Sequence, residues 1–60
     1  MDLFDIFGKV LFTAAVTTIK DLVVAAVKNG ANLTGANLRG AVLDGANLTR
    51  ANLTGANLAG

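Results

Sequence analysis

Residues 31–60 read ANLTG ANLRG AVLDG ANLTR ANLTG ANLAG, six five-residue units laid end to end without remainder. Ala opens every unit (Ala31, Ala36, Ala41, Ala46, Ala51, Ala56) and Leu holds every third place (Leu33, Leu38, Leu43, Leu48, Leu53, Leu58). Asn stands second except at Val42, and Gly stands fifth except at Arg50. A period of five matches neither the 3.6 of a helix nor the 2.0 of an unbroken strand. Gly at every fifth place also weakens a helix by about 1 kcal/mol each. Short extended pieces separated by corners fit the spacing better.

In an extended stretch, residues two apart point to the same side, so Ala and Leu share one face and the Asn between them faces away. Gly supplies the positive φ that a tight corner requires. These twelve Ala and Leu residues are the expected core of a coil, with Asn, Thr, Arg and Asp outside it. The units resemble the pentapeptide-repeat family, whose motif is Ala-(Asp/Asn)-Leu-X-X, over half of the chain. That resemblance implies a right-handed quadrilateral β-helix with one unit per side and four per coil, about one and a half coils in all. It also implies Leu33 stacked on Leu53, Leu38 on Leu58, and Asn32 and Asn37 under Asn52 and Asn57. An Asn ladder between coils is a further expectation, structural in role. At Arg50 the reading expects a corner without positive φ, and at Val42 an ordinary exposed surface residue.

Residues 1–30 (MDLFDIFGKVLFTAAVTTIKDLVVAAVKNG) lack the period. Asp2 followed by Asp5 resembles a capping box, Met1 and Ile6 a hydrophobic staple, and Asp5 and Lys9 an i, i+4 pair. Asn29-Gly30 supplies a left-handed stop. The fold class expected is therefore α+β: an amphipathic helix over residues 1–30 capping a repeat domain over 31–60. Its association face would hold Phe4, Phe7, Leu11, Ala15 and Leu22. Gly8 and Thr17-Thr18 mark places where such a helix bends or divides, and a strand reading of VLFTAAVTTI (10–19) competes with it.

Composition narrows the function. The chain has 60 residues, 53% hydrophobic and 15% charged, with no His and no Cys. No imidazole or thiol exists for catalysis, and the carboxylates Asp2, Asp5, Asp21 and Asp44 are scattered, so no catalytic, cofactor or metal site is expected. A net charge of +1, with no aromatic after Phe12, gives no nucleic-acid footprint. Nor is a small-molecule substrate implied. The longest uncharged run, residues 10–19, is too short to span a bilayer. Asp2 and Asp5 stand where a secretory signal carries Lys or Arg. A cytoplasmic location follows as the expectation.

The leading expectation is a non-enzymatic structural or interaction module. It would associate with itself, as a dimer or filament, or with another repeat protein, through the open end of its coil and its apolar helix face. The alternative is a peripheral membrane protein held on a lipid surface by the amphipathic helix. The resemblance also brings in imitation of duplex DNA against gyrase. That needs an acidic exterior, whereas Arg39 and Arg50 stand outside here against Asp44 alone, and one and a half coils span only about 7 Å of axis.

Overall fold

The computed structural model describes residues 1–58. Its element order is β1 (Asp2–Phe4), β2 (Val10–Thr13) and α1 (Ile19–Lys28), followed by the repeat units. The helix expected over residues 1–30 is thus confined to its last third, and the preceding residues form an antiparallel hairpin. Asp2 lies opposite Thr13, Leu3 opposite Phe12 and Phe4 opposite Val10, with a bulge that leaves Leu11 as the extra residue on β2.

Local chemistry explains the correction. The Asp5 carboxylate does not cap a helix; its Oδ1 accepts from the Phe7 and Lys9 amides at 2.9 and 2.8 Å and closes the turn. Gly8 sits in that turn at φ +88°. Asp2 Oδ1 accepts from the Thr13 hydroxyl across the strands. Val10-Leu11-Phe12-Thr13 is a run of β-branched and aromatic residues suited to a half-buried strand. The expected Met1–Ile6 staple is absent, since Met1 bonds Ala14 at the other end of the hairpin (Met1 amine to Ala14 oxygen, 2.9 Å).

The helix begins where the longer one would have divided. Thr18 is extended (φ −128°, ψ 152°) and its Oγ1 accepts from the Asp21 amide, so Thr18 is an N-cap. Asp21 in the first turn and Lys28 in the last complement the helix dipole. Asn29 caps the far end, donating from its amide to the Ala25 oxygen, and Gly30 turns the chain at φ +69°.

Two kinds of pairing organise the rest. The free edge of β1 meets the repeats: Asp5 bridges Ala36 antiparallel, the Ile6 amide donates to the Gly35 oxygen at 2.9 Å, and the Asn37 amide donates to the Phe4 oxygen at 2.8 Å. Units twenty residues apart lie side by side in parallel, Asn32 with Asn52 and Asn37 with Asn57. Leu33 donates to Asn52 at 3.1 Å, Gly35 to Thr54 at 2.8 Å and Leu38 to Asn57 at 2.9 Å. Twenty residues are four units. The sheet itself has two strands, β1 and β2, and isolated bridges continue from it, Asp5 to Ala36 and Asn37 to Asn57.

The core is sealed where these layers meet. Leu3 from β1, Leu22, Val23 and Ala26 from α1, and Leu33, Ala36 and Leu38 from the repeats are all buried together. Hairpin and helix thus both contribute apolar side chains to the cluster that buries Leu33, Ala36 and Leu38.

Candidate interaction surface

Each repeat turns its corner in the same way. The Ala36, Ala41, Ala46, Ala51 and Ala56 amides donate to the oxygen of the Leu three places earlier, at 2.9 to 3.0 Å. The residue just before each of these Ala is the third of the turn and has positive φ, the pattern of a type II turn. That residue is Gly at 35, 40, 45 and 55, and Arg at 50 (φ +68°). Gly60, which the repeat also places at a corner, lies outside the described residues.

Arg50 therefore corrects one expectation: its corner does need positive φ, because the Leu48–Ala51 turn bond closes there as at the others. An L side chain in the left-handed region costs about 1–2 kcal/mol. Arg50→Gly is expected to raise unfolding stability by about 1 kcal/mol, the relief being partly offset by the greater freedom of glycine in the unfolded chain. Urea denaturation reads this as a higher midpoint at unchanged slope.

The Asn side chains also depart from the expected ladder. Oδ1 of Asn32, Asn47 and Asn52 accepts from the amide and hydroxyl of the Thr two places on, Thr34, Thr49 and Thr54. These bonds stay within one unit and brace its corner. Main-chain bonds carry the stacking instead.

The repeat core residues are not equally covered. Leu33 is 0% exposed, Ala36 0% and Leu38 2%. Ala31, Ala41, Ala46, Ala51 and Ala56 are half-buried, as are Leu43, Leu48 and Leu53, while Leu58 is 56% exposed. Val42, which replaces the usual Asn, is 70% exposed. Leucine cover thus declines along the chain, with Leu43, Leu48 and Leu53 packed against the core but partly exposed and Leu58 exposed.

The proposed helix face does not exist as one surface. Phe4 stands on β1, Phe7 in the hairpin turn, Leu11 on β2 and Ala15 in the link to α1. Only Leu22 is helical, and it is buried in the core. The helix spends its apolar residues inside, so neither self-association nor a membrane anchor rests on it. Sequence reasoning missed the hairpin for lack of weight on two signals, the Asp5-Ile6-Phe7-Gly8-Lys9 turn and the Thr18-x-x-Asp21 cap.

Among the described residues there is no cavity, and no group of three or more metal-ligating side chains. No helix there is long and apolar enough to cross a membrane. The family description "pentapeptide repeats (8 copies)" matches residues 29–60. The chain belongs to the pentapeptide-repeat family. Members are generally structural or interaction modules without enzymatic activity. No curated protein and no solved structure matches the chain.

Proposed function

We propose that this pentapeptide-repeat chain is a β-helical interaction module that associates with a second copy through its uncovered leucine layer. The coil reading is right-handed and four-sided, with one unit per side. Parallel bridges between residues twenty apart and a positive φ at every fifth residue support it. The observation that carries the association is the decline in cover, from 0% exposure at Leu33 to 56% at Leu58. Leu43, Leu48 and Leu53 pack against the core yet stay partly exposed, and with exposed Leu58 they offer apolar chemistry that matches a second copy of the same residues.

Size sets the strength. With extents of 22 × 21 × 20 Å, an end face offers roughly 400 Å² per copy, half of the ~800 Å² per partner of a standard stable interface. The association is accordingly weak and reversible, appearing in the upper micromolar range. Sedimentation velocity across a concentration series tests it. The wild-type chain is expected to shift from monomer to a heavier species as concentration rises, and Leu58→Lys to remain monomeric with an unchanged circular dichroism spectrum. A folded wild-type chain that stays monomeric throughout contradicts the proposal.

A further inference from the structure

Five of the seven large hydrophobic side chains most exposed in the described structure lie within residues 1–10: Met1, Phe4, Ile6, Phe7 and Val10, against Val42 and Leu58 elsewhere. Phe4 and Val10 pair across the strands and Ile6 and Phe7 continue them around the turn. Phe7, at the turn, is 89% exposed. The main-chain donors beneath this apolar tip all have partners within the protein. The Asp5 amide donates to Lys9, Ile6 to Gly35, Phe7 and Lys9 to the Asp5 carboxylate, and Gly8 to the Asp5 oxygen. Five consecutive N–H groups, residues 5 to 9, thus need no water.

We infer that the hairpin tip docks on a lipid bilayer containing anionic lipid, with Ile6 and Phe7 entering the interface. A backbone donor taken out of water without a partner is costly, and all the donors of this turn are already partnered. The acid of the tip, Asp5, is engaged with the Phe7 and Lys9 amides, while Lys9 beside the apex is exposed and carries an ammonium on a long apolar stem, the chemistry that pairs with headgroup phosphates. A second copy held by this patch alone would be bound as weakly as one held by the coil end. Phe4, Ile6, Phe7 and Val10 together expose roughly 400 Å² judged from ~150–250 Å² for an aromatic side chain, below the ~800 Å² per partner of a stable protein interface. A convex apolar tip needs no matching groove in a bilayer. The docking residues, within positions 4–10, share none with the leucines at 43, 48, 53 and 58.

The chain has no Trp, so Phe7→Trp introduces a single reporter. With vesicles of equal parts phosphatidylcholine and phosphatidylglycerol, the indole at that position is expected to shift to shorter wavelength. The same reporter from Val42→Trp, an exposed site outside the tip, is expected not to shift. In flotation with the same vesicles, Phe7→Ser lowers the partition constant at least about tenfold. Lys9→Gln lowers it about fivefold at low salt. No blue shift at Phe7→Trp, or an equal shift at Val42→Trp, overturns the inference. A shift that appears with protein concentration in the absence of lipid also overturns it, making a second copy the occupant. Sedimentation without lipid reads the coil-end association separately, so either can fail alone.

Discussion

Leu33→Ala is expected to remove about 3–4 kcal/mol of stability, a large share of what a chain of this length has. Leu33 is fully buried between the N-terminal cover and the neighbouring 51–55 unit, and its amide bonds Asn52. Truncating a buried leucine costs ~2.7–5 kcal/mol, because the transfer energy is lost and the cavity collapses incompletely. A chain of this length has on the order of 3–9 kcal/mol in total. Leu53→Ala is the internal comparison. Its side chain is only half-buried, so the loss falls to about 1–2 kcal/mol. Circular dichroism with urea titration separates them: the larger fall in midpoint for Leu33→Ala, the smaller for Leu53→Ala. Equal losses would contradict the difference in cover between the two layers.

Leu3→Asp distinguishes the hairpin from a long N-terminal helix by the sign of its effect. Leu3 is 1% exposed, opposite Phe12 in the hairpin and packed with the helix and repeat leucines. A carboxylate placed there has no partner, and an uncompensated buried charge costs about 3–5 kcal/mol. The expected result is an unfolded or largely unfolded protein at neutral pH. Were residues 1–30 a single helix starting at Asp2, position 3 would lie in its first turn. A negative charge there would favour the helix by about 0.3–1 kcal/mol. Thermal and urea unfolding of this one variant therefore gives opposite signs under the two arrangements.

The repeat half was legible because each unit carries its own instructions. Ala and Leu two apart define an inner face, and Gly before the next Ala defines a corner. The family description matches the same stretch, residues 29–60. Arg50 escaped the reading because its corner has the same turn bond as its neighbours, and the requirement for positive φ comes from that closure rather than from the residue present. The N-terminal half was misread for a different reason. Asp2 and Asp5 are good helix-capping residues, but Asp5 finds better use closing the Phe7–Lys9 turn. The edge of β1 then finds partners at Gly35 and Asn37, a long-range contact that no local pattern announces. Of the candidate association face, Phe4 and Phe7 are exposed, but on the hairpin, and Leu22 is inside. Wheel arguments assign a face only once the helix is known to exist.

The most direct measurement is the set of through-hydrogen-bond couplings in labelled protein by nuclear magnetic resonance. They are expected from the Leu33 amide to the Asn52 carbonyl, from Leu38 to Asn57, and from Asn37 to Phe4. Their presence places units twenty residues apart in neighbouring rows and the first strand on the repeat edge. Helical i, i+4 couplings running through residues 5–18, with the Leu33 and Leu38 couplings missing, would contradict it.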